Sequence, residues 1–211
     1  MLEQNHKNQF QSGEADTGNP GGGNGPLGEL GRFIFDFLKV FVIAVAIIVP
    51  IRLFLFQPFV VTGDSMQPNF IDGDYLIIDE ITYRFRNPER GDVLVLRFPN
   101  DPSQFFIKRI IGLPGERVVV QNGSVAIVDQ TEQRRVTLNE EYLPRQNQTF
   151  GNIDLVLAED EYFVLGDNRL SSSDSRIWGT LKRKNIIGRA FIRAFPIEQF
   201  QIFTTPSYSS N

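Results

Sequence analysis

Hydrophobic and polar positions divide this chain into three stretches of different character. Residues 1–31 are polar and end in the glycine-rich run Thr17-Gly18-Asn19-Pro20-Gly21-Gly22-Gly23-Asn24-Gly25-Pro26. Too few apolar side chains occur there to offset the entropy of ordering, so a disordered N-terminal tail is predicted. The pattern inverts over 32–56, where FIFDFLKVFVIAVAIIVPIRLFLF, starting at Phe33, is almost continuously apolar. A bilayer core asks for about 20 apolar helical residues, so this stretch predicts a transmembrane anchor. Asp36, Lys39 and Arg52 interrupt it, and the charge-free part is Val40 to Ile51. Bulky residues at 52–56 argue against a cleaved signal peptide, which wants small ones there. Arg32 and Lys39 precede the run and Arg52 alone follows its centre, which favours a cytoplasmic N-terminus.

Beyond Phe56 the period becomes two. Strands are predicted at Pro58–Thr62, Tyr75–Asp79, Asp92–Phe98, Phe105–Ile111, Glu116–Gln121, Ser124–Val128, Tyr162–Leu165 and Ile187–Phe195. Asn122-Gly123 marks a hairpin, and Gly112-Leu113-Pro114-Gly115 marks a break. The expected fold class is mostly β: an antiparallel, coiled or barrel-like sheet domain over 57–200, preceded by one transmembrane helix and followed by a C-terminal tail at 201–211.

Composition then removes whole classes of chemistry. With no Cys, thiol nucleophiles, disulfides and Cys-ligated metals are excluded. The one His is His6, in the predicted tail, so a His-based triad or His-rich metal site is excluded as well. A net charge of -4 leaves no basic field for nucleic acid, which is not expected as a partner. Any hydrolytic base must come from Lys, Asp, Glu or an N-terminal amine.

Three clusters are candidates for chemistry. In Phe105-Phe106-Ile107-Lys108-Arg109-Ile110-Ile111, alternation sets Lys108 between Phe106 and Ile110 on one strand face. A lysine desolvated by such neighbours loses its proton more easily and becomes a usable base; the plain alternative is a surface lysine snorkelling from an amphipathic strand. Gly63-Asp64-Ser65-Met66-Gln67-Pro68 presents Ser65 on a constrained turn, although serine is also an ordinary turn residue. Gly166-Asp167-Asn168-Arg169-Leu170-Ser171-Ser172-Ser173-Asp174-Ser175-Arg176 reads as a polar loop tied by local hydrogen bonds and ion pairs. Asp72-Gly73-Asp74 reads as a glycine-centred turn rather than a metal loop.

Ser65-Met66-Gln67-Pro68, Lys108 through Gly115, and Gly166-Asp167-Asn168 through Asp174-Ser175-Arg176 resemble, in order, the three signature boxes of the bacterial type I signal peptidases. The resemblance extends over about Pro58 to Phe195. It implies a membrane-bound serine endopeptidase that removes N-terminal signal peptides from secretory preproteins after Ala-x-Ala-type sites, through an acyl-enzyme. In that comparison Ser65 matches the nucleophile, Lys108 the base, and Ser172 the hydroxyl that orients the lysine. Arg109, Asp167, Asp174 and Arg176 match structural ion-pair residues. Phe59, Val61, Met66, Phe106 and Ile107 match positions lining shallow apolar substrate pockets, and Pro58–Thr62 resembles the edge to which substrate adds as a strand.

Two positions depart from the family pattern. Gly63 stands where a hydroxyl residue often helps bind the oxyanion, leaving the Ser65 N–H as the one donor that can be named. Asn69 stands where Thr is usual. The resemblance implies no cofactor and no metal. It also implies contact with membrane lipid and a place in the bacterial cytoplasmic membrane as a single-pass protein, with the N-terminus cytoplasmic and the β-domain outside. The competing readings are a self-cleaving Ser-Lys repressor protease, which would carry a DNA-binding domain in place of the apolar run, and an anchored non-catalytic β-domain that binds extracytoplasmic partners.

Overall fold

The computed structural model describes residues 26–54, 56–129, 134–144, 148–205 and 208. Two units form, 1–46 and 47–211. Helix α1, Pro26–Phe54, begins on a proline, whose fixed φ suits a first turn and whose missing N–H is not needed there. Residues 26–31, drawn as tail from the sequence, are therefore helical; Leu30 already continues the apolar pattern of Phe33 and Ile34. The remainder of the predicted tail, with His6, lies outside the described residues.

The predicted membrane span meets a limit here. Among the described residues no helix is long and apolar enough to cross a membrane. Described side chains on α1 end at Val49, and a long window ending there takes in Arg32, Asp36 and Lys39. What α1 does present is a row of exposed apolar side chains, among them Phe37, Val40, Phe41, Ile47 and Ile48.

The second unit is antiparallel β throughout its pairings. Its first strands are β1, Phe56–Val60; β2, Tyr75–Asp79; β3, Val93–Phe98; and β4, Asp101–Gly112. A hairpin follows, β5 at Arg117–Gln121 and β6 at Ser124–Val128, turning at Asn122-Gly123 with both residues at positive φ as a tight hairpin turn requires. Then come β7, Arg135–Thr137; β8, Ile153–Val156; β9, Glu161–Leu165; β10, Leu181–Lys182; β11, Ile186–Phe195; and β12, Gln201–Ile202. Short helices α2, Thr82–Phe85, and α3, Ser175–Trp178, lie in the connections.

One sheet has eight strands in the order β1-β2-β11-β3-β4-β9-β10, with β12 added to β11; the other has four, β7-β6-β5-β8. Neither ladder closes on itself among the described residues, so the architecture is two open sheets rather than a hydrogen-bonded barrel. Register shifts where β11 meets β2 and β3, and where β4 meets β3 and β9, coil the larger sheet, because a bulge adds local twist. Alternating side chains fill three cores. Val61, Met66, Phe70, Leu76 and Ile78 form one, Leu94, Leu96, Ile110 and Val164 a second, and Ile111, Val118, Val120 and Phe163 a third.

Strands β7, β8, β10 and β12 were not predicted; each has four residues or fewer, too few for period-two alternation to stand out. Residues 201–205, drawn as a tail, are bonded to the domain. Ile202 pairs with Ile192 and Gln201 with Arg193, and the Phe203 N–H donates to Phe191 O at 2.9 Å.

Candidate active site

Ser65 sits in the loop between β1 and β2. The loop is pinched shut because Val61 N–H donates to Asp74 O at 2.9 Å and Gly73 N–H returns to Val61 O at 3.0 Å. Asp72 Oδ1 accepts from Gly63 N–H at 2.8 Å, and Gly63 takes a φ of 87, which is strained for any residue with a Cβ. The Asp72-Gly73-Asp74 turn is thus a clasp that holds the serine loop. Met66 anchors the loop from beneath: it is 0% exposed, within the core of Phe70, Leu76 and Ile78. The expectation that Met66 lines a substrate pocket is therefore corrected, since a thioether sunk this deep in an apolar core has no open face.

Lys108 lies in β4, paired with Leu94 of β3. Its ammonium nitrogen is 2.8 Å from Ser65 Oγ and donates to the Ile107 carbonyl at 2.9 Å. The residue is 3% exposed, and Nζ stands 5.2 Å from the centre of the Phe106 ring. Burial brings the Lys108 pKa down to about 8, and the Asp174 and Asp167 carboxylates, which pull it upward, only partly oppose this. At that value about a tenth of the amine is uncharged at pH 7, far more than at the ordinary lysine value of 10.5. A neutral amine at 2.8 Å accepts the hydroxyl proton, whereas an ammonium donates to the hydroxyl instead.

The third cluster forms the wall behind the serine. After β9, Gly166 N–H donates to Asp174 Oδ2 at 3.1 Å. Asn168 N–H donates to Ser65 O at 3.1 Å, and its Nδ2 donates to Asp64 O, also at 3.1 Å. Ser172 Oγ is buried but makes no hydrogen bond in the structure, and the two bonds of Lys108 Nζ go to Ser65 and Ile107. The expected Ser172-to-Lys108 hydrogen bond is therefore not formed. Ser172 instead packs against Gly166, where a Cβ would come within 2.2 Å of its Oγ.

Two buried ion pairs brace this wall. Arg109 meets Asp167 through Nε at 2.8 Å and Nη2 at 2.6 Å, a two-pronged pairing, and its Nη1 donates to Gly91 O at 3.0 Å. Asn69 Nδ2 adds a further bond to Asp167 Oδ2 at 2.8 Å, so the asparagine noted in the sequence links the serine loop to this pair. Arg176 contacts Asp174 through Nε and Nη2, both at 2.8 Å, while Asp174 caps α3. Sequence reasoning missed Arg169, which is 2% exposed and paired with Glu140. It missed Asn168 too; both stand inside the Gly166–Arg176 box, and their place there was the available signal.

A groove of about 240 Å³ is lined by Phe59, Val61, Leu76, Val95, Phe106 and Ile107, together with Ser65 and Lys108. Thr62, Phe105 and Ser173 also border it. Strand β1 ends the larger sheet, pairing only with β2 among the described residues, and Pro58 within it suits an edge position. No cluster of potential metal ligands occurs among the described residues.

Comparison with known proteins matches this framework. A family model described as signal peptidase, peptidase S26, matches residues 34–195. Similar relatives include a probable signal peptidase I-1 of Synechocystis, 36% identical over 84% of this chain and 90% of its own. Another is a signal peptidase I of Leptolyngbya laminosa, 36% identical over 83% and 87%. A third is a signal peptidase I P of Bacillus subtilis subsp. natto, 31% identical over 80% and 92%. A solved signal peptidase I from Enterococcus faecalis superimposes with a TM-score of 0.41 at 30% identity, covering 49% of this chain and 97% of its own. The family model spans the serine loop, the lysine strand and the braced wall together, and the chain belongs to the signal peptidase family, peptidase S26.

Proposed function

We propose that this chain is a Ser/Lys endopeptidase that cuts signal peptides from secretory preproteins, with Ser65 as nucleophile and Lys108 as general base. The observation that carries this reading is the 2.8 Å contact between Ser65 Oγ and the amine of Lys108, a residue that is 3% exposed. Neutral Lys108 takes the Ser65 proton as Oγ attacks the scissile carbonyl. It returns that proton to the leaving amine, and then activates the water that hydrolyses the acyl-enzyme. Ser65 N–H is the oxyanion donor in this scheme. Ser172 keeps an orienting role in this scheme, supported by its buried hydroxyl, which has no hydrogen-bond partner of its own in the structure.

Substrate binds as an added strand on the open edge of β1, an arrangement supported by the edge position of that strand beside the groove. The groove's apolar walls and modest volume suit small side chains, consistent with an Ala-x-Ala preference. Helix α1 attaches the chain to the bacterial cytoplasmic membrane as a single pass with the N-terminus cytoplasmic; its exposed Val40–Val49 run and the preceding Arg32 and Lys39 support this. Carbonate extraction and protease protection of membrane vesicles test that topology.

The reaction itself is tested by incubating the detergent-solubilised protein with a labelled preprotein. Cleavage at a small-x-small site is expected, and both Ser65→Ala and Lys108→Ala are expected to abolish it. An anchored binding domain would leave the preprotein intact with every variant.

A further inference from the structure

The C-terminal segment beyond β11 touches the backs of both halves of the candidate site. On the nucleophile side, Phe203 packs on Phe70 with ring centres 4.6 Å apart, and Phe70 N–H donates to Met66 O at 3.0 Å, one residue from Ser65. The Arg193 guanidinium lies 5.5 Å from the Phe70 ring and 5.4 Å from the Phe203 ring, and it also donates to Asn69 O. On the base side, Thr205 Oγ1 donates to Asp92 Oδ1 at 2.6 Å. The backbone oxygen of that same Asp92 accepts from Ile110 N–H at 2.9 Å, two residues from Lys108. Farther along, the Tyr208 hydroxyl donates to the Tyr142 hydroxyl at 3.3 Å, and the Tyr142 ring lies 4.0 Å from the Arg109 guanidinium.

We propose that this C-terminal strap, Gln201–Thr205 with Tyr208, positions the nucleophile loop against the base strand, with Phe203 and Thr205 as its positioning residues. The proposal rests on the Ser65/Lys108 reading and extends it to residues that touch neither substrate nor the reacting atoms. Ser65 and Lys108 belong to elements far apart in sequence, so their 2.8 Å approach depends on how those elements are held. The loop carries Phe70 and the strand carries Arg109 and Ile110, and a single short segment grips both. A displacement of about 1 Å between reacting groups is enough to lower turnover by about 10²-fold without changing substrate contacts. No strap residue lines the groove itself, although Phe203 packs on the core whose Val61, Leu76 and Val95 reach it, so the larger effect is expected on turnover rather than on substrate affinity.

The test is steady-state cleavage of a labelled preprotein by the full chain in detergent, with rates expressed per folded molecule from the cooperative thermal transition. Phe203→Ala is expected to lower kcat about tenfold or more with KM unchanged within about twofold. Its acid limb is expected to move to higher pH as water reaches the loosened lysine, and Phe203→Leu is expected to restore most of the rate. Wild-type kcat per folded Phe203→Ala molecule would overturn the proposal. Should Phe203→Ala show no cooperative transition, the nearly isosteric pair Thr205→Val with Tyr208→Phe decides by the same split: a lowered kcat at constant KM supports the strap, and an unchanged kcat overturns it. Ser65→Ala runs in parallel. Residual wild-type cleavage there would overturn the dyad reading and this proposal with it, whereas an inert Ser65→Ala beside an unaffected Phe203→Ala overturns the strap alone.

Discussion

The Gly166 α-carbon faces the Ser65 carbonyl so closely that a Cβ on residue 166 would stand 2.3 Å from that oxygen. It would also meet Ser172 Oγ at 2.2 Å, so the wall and the serine loop fit together only across a bare backbone. Neither neighbour is the free end of a flexible chain. Gly166→Ala therefore pushes the Ser65 loop away from Lys108 or distorts the wall. A loss of about 1–3 kcal/mol of stability is expected, as for overpacking elsewhere. Cleavage is expected to fall about 10²-fold or more. Parallel thermal melts and preprotein cleavage assays check both numbers.

The Arg109–Asp167 pair is buried on both sides, at 7% and 0% side-chain exposure. Removing one partner strands the other charge, a change that costs about 3–5 kcal/mol in comparable pairs. Asp167→Ala is expected to destabilise within that range, whereas breaking the solvent-screened pair Arg117–Asp154 is expected to change stability far less. Denaturation midpoints of Asp167→Ala and Asp154→Ala compare the two directly.

The spacing of the candidate site's Ser65 and Lys108 segments was legible in the sequence, for a specific reason. Lys108, set between Phe106 and Ile110 in an alternating strand, is readable as a desolvated base or as a snorkelling surface lysine, and the absence of usable His or Cys leaves few other bases. The serine loop is punctuated by Gly63 and Pro68, and the strands around it alternate cleanly. What stayed hidden depends on contacts between distant segments. Met66 matches a pocket-lining position in the family resemblance, but the loop turns it down into the core of Phe70 and Leu76. Asn168 reads as one polar loop residue among several until its N–H reaches Ser65 O across the fold. The two-residue strands β10 and β12 are likewise decided by pairing with β9 and β11, not by their own composition.

Stability should also depend on the charge of Lys108. Its folded pKa, about 8, lies below the ordinary 10.5, so between those values the unfolded chain binds more protons and stability rises with pH. Below about pH 8 the folded protein bears the full penalty of a buried ammonium. Lys108→Met removes that penalty and is expected to stabilise the inactive protein at pH 7 by up to about 3 kcal/mol. The advantage should shrink above pH 8 and vanish near pH 10.5. Denaturant titrations of both proteins at several pH values follow this difference.

Activity carries the same titration in its acid limb. Because the neutral amine is the reactive form, kcat/KM should rise with pH and level off above about 8. At pH 7 only about a tenth of the molecules have the amine uncharged.

The most direct measurement is a nitrogen-15 NMR titration of the Lys108 side-chain amine in detergent, assigned by comparison with Lys108→Met. A midpoint close to pH 8, well separated from the other lysines, is the predicted result. A midpoint at or above 10 would mean a hydrated, charged amine at neutral pH, and Lys108 would not serve as the base for Ser65.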